Sequence, residues 1–517
     1  MGRFFPDWLA AALLGALAVA GFAPLDWFFL PVLSLAGLFW LARDAAPGRA
    51  FRLGWSFGLG LFLVGVSWVF VSIATYGGMP APVAALATGL FCAFMALFPA
   101  LALALAAGLA APGWRRGLLA LPAAWVLLEW VRGWIFTGFP WLALGYSQVP
   151  DSPLAGYAPV LGVYGVSLLA ALSAGLVARL FASPASGGGA GGEGRPRLVP
   201  LALLATVWLA GWGLVQVDWT RPVGAPVSVT LAQGNIPQDL KFRPEQLRAT
   251  LTHYARAVEA SQARLIVLPE TALPLFRSAV PRDYLDLLGD HARARGGDVV
   301  LGLPEDDGPA RYYNSIVTLG TAPESLYRKV HLVPFGEFVP FGFRWAVDLM
   351  SIPLGDFARG APNQPPLAVA GQRLAANICY EDAFGEERIA AARNATLLVN
   401  LSNDAWFGAS LAPWQHLQIG AMRSLEASRW QLRANNTGIT AILDHRGRTR
   451  ARLAPFVAGA LDGEAQGRTG DTPYLRFGNG GVVLILALML AFLRWKPRPA
   501  PARGRGAVRE VAARLPS

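Results

Sequence analysis

The chain has 517 residues, of which 54% are hydrophobic and only 15% are charged. An ordinary soluble protein carries about 25% charged residues, so this composition excludes a purely soluble chain and indicates a membrane protein with a soluble part. The formal net charge of +11 does not indicate a nucleic-acid binder. Many basic residues occupy short loops between apolar runs and the C-terminal tail, rather than one folded face.

Eight apolar segments are long enough, or nearly so, to cross a bilayer, which takes roughly 20 residues per helix. They are Trp8–Gly21, Trp27–Leu41, Gly54–Ile73, Pro82–Ala111, Leu118–Trp130, Val160–Phe181, Pro200–Val215 and Gly481–Leu493. The first begins with a positive charge, as a signal peptide does, but a second apolar run follows almost at once, so we interpret it as an uncleaved helix. We therefore predict a membrane α-helical bundle of about eight transmembrane helices, seven in residues 1–216 and one in residues 478–495.

Basic residues mark alternate loops, which the positive-inside rule places in the cytoplasm. They are Arg3, Arg43, Arg49, Arg52, Arg115, Arg116, Arg195 and Arg197, followed by a basic tail at 496–517. The intervening loops are poor in charge. This alternation predicts that the domain between the seventh and eighth spans lies outside the cytoplasm and that the tail is cytoplasmic.

Residues 226–472 alternate strand and helix patterns, which indicates an α/β domain. Short apolar runs predict strands at Val227–Gln233, Leu265–Leu268, Val299–Leu303, Ser315–Leu319, Leu374–Ile378 and Thr396–Leu401. Helical patterns are found at Pro244–Ser261, Arg282–Arg295 and Trp414–Arg433. Gly438–Arg450 is typical of a hairpin, with its turn near Asp444–Gly447.

Cys379 is the cysteine outside the apolar runs, since Cys92 lies within one. It follows the short strand Leu374–Ile378 and precedes Glu381 and Asp382. A thiol at a strand end beside a helix N-terminus is expected to be exposed and to have a lowered pKa. We therefore interpret Cys379 as a nucleophile. The alternative is a small buried hydrophobic residue.

Two further stretches could supply the partners of such a nucleophile. Glu270 ends the run LIVLPE, at a strand end where α/β folds place catalytic groups, although it could equally begin a helix. Lys329 precedes an apolar turn that leads into Glu337, which we expect to be partly buried and to need a partner. Taken alone, Lys329 is more typical of a solvated strand edge. Together, a cysteine, a lysine and a carboxylate can perform acyl transfer.

The motifs resemble those of a known family. LPE at Glu270, YRKVHLVPFGEFVPFG around Lys329 and NICYED around Cys379 resemble the nitrilase superfamily. QGNIPQ (233–238), SNDAWFG (402–408), EWVRGW (129–134) and TGFPW (137–141) narrow the resemblance to the apolipoprotein N-acyltransferases. The resemblance covers nearly the whole chain.

The resemblance implies a four-layer α-β-β-α sandwich for the nitrilase-like domain, 226–472. It also implies that Glu270 is the general base, Lys329 the oxyanion-stabilising group and Cys379 the acyl-accepting nucleophile. Supporting residues would be Glu337, Glu381, Tyr380 and Trp406. We expect substrate contacts from Phe242, which stands where the family often has Trp, and from Phe341, Trp345 and Trp141. The apolar stretches Phe338–Phe357 and Trp406–Trp414 are interpreted as membrane-facing lids.

The implied reaction transfers an acyl chain from a phospholipid, with phosphatidylethanolamine as the expected donor, through a cysteine thioester. The acceptor is the N-terminal amine of an S-diacylglyceryl-cysteine in an apolipoprotein, and the expected location is the bacterial inner membrane with the catalytic domain in the periplasm. No cofactor is expected, and no metal, because the five histidines lack HxH or HExxH spacing. The alternatives are a membrane-anchored amidase or nitrilase and a non-catalytic scaffold or transporter.

Overall fold

The computed structural model describes residues 6–181, 195–308, 311–340, 342 and 356–494. The first part of the chain is helical. Its helices are α1 (Asp7–Ala18), α2 (Phe29–Ala42), α3 (Pro47–Gly65), α4 (Trp68–Val71), α5 (Ala81–Met95), α6 (Leu97–Leu109), α7 (Leu121–Arg132), α8 (Ala158–Leu180) and α9 (Arg195–Val215). Most of the loop Ser183–Arg197, the tail 496–517, Phe341, Trp345 and most of the stretch Phe338–Phe357 lie outside the described residues.

Helix length and composition distinguish the candidate membrane spans. Within the described ranges, three helical segments are long and apolar enough to cross a membrane: Ala81–Leu109, Pro153–Leu180 and Arg197–Val215. Pro47–Gly65 and Trp68–Tyr76 form a fourth candidate as a pair bent by 52°. Shorter apolar helices cover Asp7–Gly21, Phe29–Ala42 and Gly480–Arg494. The eight predicted segments thus fold as helices of unequal length, several of them shorter than a bilayer requires.

The later part of the chain contains β-strands and further helices. The strands are β1 (Arg221–Pro222), β2 (Val227–Gln233), β3 (Leu265–Val267), β4 (Asp298–Asp306), β5 (Tyr312–Gly320), β6 (Leu326–Arg328), β7 (Leu367–Val369), β8 (Gln372–Ile378), β9 (Leu397–Ser402), β10 (Gln431–Asn435), β11 (Ala441–Leu443), β12 (Thr449–Arg452), β13 (Gly459–Ala465) and β14 (Arg468–Thr469). The helices are α10 (Pro244–Ala260), α11 (Arg282–Ala294), α12 (Gly385–Asn394), α13 (Ala412–Ala427), α14 (Pro473–Phe477) and α15 (Gly480–Arg494).

Two six-stranded sheets organise this domain. One has the order β13-β2-β3-β4-β5-β6 and the other β12-β11-β10-β9-β8-β7. Strands β2, β3 and β4 run parallel in the first sheet, and β8, β9 and β10 run parallel in the second. Because parallel strands end at one edge of a sheet, residues that follow β3 and β8 lie at sheet edges suited to a site.

The two sheets bury one face of each against the other. Leu231 and Val267 of the first sheet share a core with Leu374, Val399 and Leu432 of the second. The outer face of the first sheet packs against α10 and α11, and that of the second against α12 and α13. Both faces of the parallel strands are therefore shielded from water, which explains their nearly continuous apolar sequences.

Polar side chains on α13 join this domain to the membrane helices. Gln415 donates from Nε2 to the carbonyl of Gly65 at 3.0 Å. Gln418 donates from Nε2 to Asp26 Oδ1 at 3.1 Å and to the carbonyl of Val149 at 3.2 Å. The domain is thus fixed against the helices by specific hydrogen bonds, because buried amides need partners.

The predicted helix Trp414–Arg433 is wrong in its last six residues, 428–433. The helix ends at Ala427, and Ser428 has φ = 48° in the left-handed region. Gln431–Asn435 then forms β10, which pairs in parallel with β9 and antiparallel with β11. Sheet pairing outweighs the helical pattern here because the strand fills the centre of the second sheet. The other predicted strands, helices and the hairpin correspond to observed elements, with ends shifted by a few residues.

Candidate active site

Glu270 lies just after β3, where its side chain is buried. Its Oε1 accepts hydrogen bonds from Asn314 Nδ2 at 2.7 Å and from Lys329 Nζ at 3.4 Å. On the neighbouring strand β4, a Cβ atom at Gly302 would come within 2.8 Å of the Glu270 Cα. Glycine at this position therefore lets the Glu270 backbone approach β4 closely.

Lys329 follows β6 directly and is 1% exposed. Its Nζ lies 2.8 Å from Glu337 Oε1 as well as 3.4 Å from Glu270 Oε1. Asn314 Nδ2 bridges the same two carboxylates and is 3.0 Å from Glu337. Burial lowers the pKa of Lys329, but the carboxylates of Glu337 and then Glu270 raise it by more, so the pKa stands above its usual value. The ammonium is therefore held in its charged form, and Glu337 is partly buried and paired as predicted.

Cys379 is buried, so the prediction of an exposed thiol with a lowered pKa is wrong. It is 9% exposed and begins a short 3₁₀ helix, Cys379–Ala383. Burial first, and then the negative charge of Glu270, raise the pKa of the thiol, and Lys329 offsets only part of this. The sulfur therefore rests as a thiol and needs a base to remove its proton before it can attack.

The backbone of Cys379 has a strained conformation. Its φ of 54° lies in the left-handed region, which residues other than glycine rarely adopt. The Cys379 carbonyl accepts hydrogen bonds from Asn400 Nδ2 at 3.2 Å and from His416 Nε2 at 3.1 Å. His416 Nδ1 in turn lies 3.0 Å from Asp404 Oδ1. These contacts hold the strained peptide in place, as is typical of a functional site.

Glu381 connects the segment that bears Lys329 with the segment that bears Cys379. Its side chain is fully buried. Its oxygens accept hydrogen bonds of 2.7–3.0 Å from Ile378 N, Val330 N, His331 N and the Tyr327 hydroxyl. A carboxylate that accepts several hydrogen bonds fixes its donors firmly. Glu381 thus positions the two segments relative to each other.

Tyr380 and Trp406 contact the membrane helices and their loops. The Tyr380 hydroxyl donates to the carbonyl of Gly138 at 3.0 Å, and its ring stacks on Trp141 with centroids 6.4 Å apart. Trp141 is 1% exposed, so its contacts in this structure are with neighbouring side chains. The carbonyl of Trp406 accepts a hydrogen bond from Ser72 Oγ at 2.8 Å. The segments beside the nucleophile are therefore anchored to the helical part of the chain.

The remaining predicted residues have varied environments. Phe242 is 62% exposed and follows the buried residue Lys241. Glu129 and Arg132, in the motif EWVRGW, form separate hydrogen bonds. Glu129 Oε1 accepts from Trp125 Nε1 at 2.9 Å, and Arg132 donates to two backbone carbonyls of the following loop at 2.6 and 2.7 Å. Both charged residues are buried.

Three residues of the site were missed from the sequence. Lys241 has a buried ammonium that donates to the carbonyl of Glu270 at 3.0 Å. Asn314 bridges two carboxylates, and His416 holds the Cys379 carbonyl. For Asn314 in β5 and His416 in α13, a polar side chain within a buried strand or helix was the available signal, because such a residue needs a buried partner. Lys241 lies in a turn, where the local sequence gives no such signal. Sequence spacing alone does not show which partner it has.

This arrangement can perform acyl transfer. Glu270 can accept the thiol proton of Cys379, and Lys329 supplies a fixed positive charge to an oxyanion. Because the charges are buried, their effect on a reacting carbonyl is larger than it would be in water. In the part of the chain that the structure describes, His, Cys, Asp and Glu side chains form no group of three or more suited to a metal ion.

Comparisons with known proteins cover both parts of the chain. The family model described as apolipoprotein N-acyltransferase N-terminal domain matches residues 14–176, and the model described as carbon-nitrogen hydrolase matches residues 228–474. An amidase from Nesterenkonia sp., known from a crystal structure, is 20% identical with a TM-score of 0.34 over 50% of this chain and 97% of its own. That weak structural likeness supports no further conclusion.

Full-length relatives are much more similar. The apolipoprotein N-acyltransferase of Nitrosomonas europaea is 50% identical over 493 residues, which cover 93% of this chain and 96% of the relative. That of Chromobacterium violaceum is 47% identical over 497 residues, covering 95% and 94%. That of Ralstonia nicotianae is 46% identical over 497 residues, covering 93% and 92%. The similarity thus extends through the membrane helices as well as the sheets.

Proposed function

This chain belongs to the apolipoprotein N-acyltransferase family, and from that premise we propose how its residues divide the reaction. The enzyme is an acyltransferase that N-acylates lipoproteins, and it acts in a bacterial membrane with a lipid acyl donor and a lipoprotein acceptor. Cys379 is the nucleophile, Glu270 the general base and Lys329 the oxyanion-stabilising group. The convergence of Lys329 with Glu270 and Glu337, within electrostatic reach of Cys379, is the observation that carries this assignment.

The first half-reaction forms a thioester. Glu270 takes the proton of the Cys379 thiol as the sulfur attacks the ester carbonyl carbon of the phospholipid. Lys329 stabilises the negative charge that develops on the carbonyl oxygen. The carbon–oxygen bond of the ester then breaks, Glu270 returns the proton to the departing oxygen, and a lysophospholipid leaves. The acyl chain remains bound to Cys379.

The second half-reaction transfers the acyl chain to nitrogen. The N-terminal amine of the S-diacylglyceryl-cysteine attacks the thioester carbon, and Glu270 accepts an amine proton. The carbon–sulfur bond breaks, the proton returns to the sulfur of Cys379, and an amide forms. Apolar surroundings protect the thioester from water between the two steps. Cys379 belongs to the buried core between the two sheets, which supports this protection.

The proposal includes the finer architecture and location. Along the chain, seven spans in residues 1–216 precede a catalytic domain at 226–472. An eighth span at 478–495 and a basic cytoplasmic tail at 496–517 follow it. The domain has α-β-β-α layers, an order supported by two sheets with a common core and helices on their outer faces. The domain faces the periplasm from the inner membrane, as the basic loops favour, and phosphatidylethanolamine is the donor.

The proposal predicts a covalent intermediate. Purified protein in vesicles of acyl-labelled phosphatidylethanolamine, without acceptor, is expected to retain label on Cys379 that hydroxylamine releases. Cys379→Ala is expected to retain none, whereas Cys92→Ala is the matched control because Cys92 is a free, buried cysteine among the membrane helices. Adding a diacylglyceryl lipopeptide should then move the label to its amine. Turnover of soluble amides without any labelled thioester would instead favour an amidase and contradict the assignment.

A further inference from the structure

Lysine is rare in this chain, and its positions are informative. Among 44 lysine and arginine residues there are three lysines, Lys241, Lys329 and Lys496. Lys241 and Lys329 belong to the catalytic domain, and both are buried, at 2% and 1% exposure. The domain's other cationic side chains at neutral pH are arginines, apart from any protonated histidine. The two buried lysines each present a compact ammonium, which differs from the broad guanidinium of the domain's buried arginines.

Lys241 lies against the same residue that accepts the thiol proton in the proposed mechanism. Its Nζ donates to the main-chain carbonyl of Glu270 at 3.0 Å, after the chain leaves β2. Glu270 and Cys379 are the groups whose negative charge acts on this ammonium. Burial lowers the pKa of Lys241 to about 8, with Glu270 and Cys379 acting in the opposite direction. A buried ammonium beside one neutral carbonyl is costly for the fold, which points to a functional use.

The charges of the site show what that use is. Glu270 and Glu337 bring two negative charges, and Lys329, which contacts both, brings one positive charge. Without another cation the buried cluster has one excess negative charge, and ionisation of Cys379 adds to it. Asp404 also acts on Cys379; it contacts His416 and lies near Arg433, whose guanidinium is paired with Asp382. Among the described residues, Lys241 is a buried cation near Glu270 that brings the sum of the charges of Glu270, Glu337 and Lys329 to zero.

We propose that Lys241 is a positioning residue of the acyl transfer, which balances the charge of the Glu270–Lys329–Glu337 cluster and fixes the Glu270 backbone. Lys241 acts through Glu270 rather than by contact with the substrate. Removing its charge disfavours the ionised base and thiolate that the acylation step requires. The inference rests on the proposed roles of Glu270 and Cys379.

The test is the pH dependence of thioester formation in single-turnover experiments with acyl-labelled phospholipid vesicles. In Lys241→Met, the acid limb of the rate profile is expected to move up by about one pH unit, because an opposite charge near an acid has about this effect. On that limb the rate should fall about tenfold. Lys241→Arg retains the charge and should keep the wild-type limb, even where the larger side chain lowers the maximal rate. Lys241→Gln is a second neutral variant that should behave as Lys241→Met does.

Arg429→Met is the matched control. Arg429 is a fully buried cation of the same domain that also donates to backbone carbonyls, those of Ala395 and Gly470 among them. Its loss should reduce thermal stability and leave the acid limb unmoved. A lowered melting temperature of Lys241→Met with an unmoved limb, or an equal limb shift in Lys241→Arg or Arg429→Met, would overturn the inference. Absence of a thioester in the wild type would instead contradict the proposed function, so the two failures are distinguishable.

Discussion

Two buried clusters of charge in this protein look alike but are built differently. The active-site cluster contains Glu270, Lys329 and Glu337. The junction cluster contains Arg423 and Glu426 on α13, where the catalytic domain meets the membrane helices. Both contain ion pairs that are largely shielded from solvent, although Glu337 is only partly buried, and in each a distance of 2.8 or 2.9 Å joins a cation to a carboxylate. Burial and pairing alone therefore do not distinguish a catalytic site from a structural one.

The difference lies in where the partners come from. Arg423 and Glu426 are three residues apart on one helix, and Glu426 also accepts a hydrogen bond from Val163 N at 2.8 Å. The pair satisfies two charges locally and fastens α13 to α8. Glu270 and Lys329 instead follow two separate strands, Glu337 lies in the turn after Lys329, and the charges of Glu270 and Lys329 act on a cysteine with strained backbone. Charged residues from distant segments, placed beside a strained backbone, are typical of a functional site. A pair within one helix is typical of a structural contact.

Loss of the central cation of the active site is expected to have the largest effect. In Lys329→Met, two buried carboxylates lose their shared partner and the oxyanion loses its stabilising charge. Thioester formation should fall by about 10²–10³-fold or more, measured as labelled protein with phospholipid vesicles. Arg423→Met is the comparison variant, which should lower the melting temperature and retain acyl transfer per folded molecule. Equal losses of acyl transfer in both variants would show that the two clusters do not differ in function.

Glu381→Gln should have the next largest effect. The variant keeps the shape of the side chain but replaces a charged acceptor of four donors by a neutral amide. Because displacement of catalytic groups by about 1 Å can cost about 10²-fold, we expect a loss of about that size in kcat. Measurement of kcat and KM separately checks the reason. A variant whose KM alone changes would show that Glu381 does not position Lys329 and Cys379.

The junction cluster should make the melting temperature depend on pH. Burial raises the pKa of Glu426 from 4.5 to about 7, despite the opposing effect of Arg423. Because the pKa of Glu426 is higher in the folded than in the unfolded protein, the protonated carboxyl adds to the free energy of unfolding below about pH 4.5. This contribution is lost as the pH rises through about 7. Glu426→Gln should flatten the melting temperature between these values while transfer persists. A wild type whose melting temperature does not fall over this range would contradict the interpretation.

The smallest effect is expected at the exposed edge of the site. Phe242 is 62% exposed, so Phe242→Ala removes no core packing. If its ring contacts the lipid substrate, KM should rise about threefold to tenfold with kcat unchanged, because about 1 kcal/mol of apolar contact is lost. Phe456→Ala, at another exposed phenylalanine of the domain, is the control and should leave KM unchanged. No change in KM for Phe242→Ala would remove Phe242 from the proposed substrate contacts.

Much of this protein is determined by the sequence itself. The apolar runs predict helices, and the alternating patterns predict the strands, because each element must bury its own apolar face. Glu270 and Cys379 could be singled out since each follows a strand, and Glu337 since a carboxylate in an apolar turn needs a partner. These inferences depend on neighbours within a few residues, which the sequence displays directly.

The tertiary structure alone decided the environments of these residues. It buried Cys379, whose local sequence predicts an exposed thiol, because the second sheet packs against the first at that point. It turned Gln431–Asn435 from the end of a helix into a central strand, since pairing with β9 outweighs local pattern. It also brought Lys241 to the carbonyl of Glu270, 29 residues away. Desolvation and charge act through space, so they depend on contacts between distant segments that local sequence does not specify.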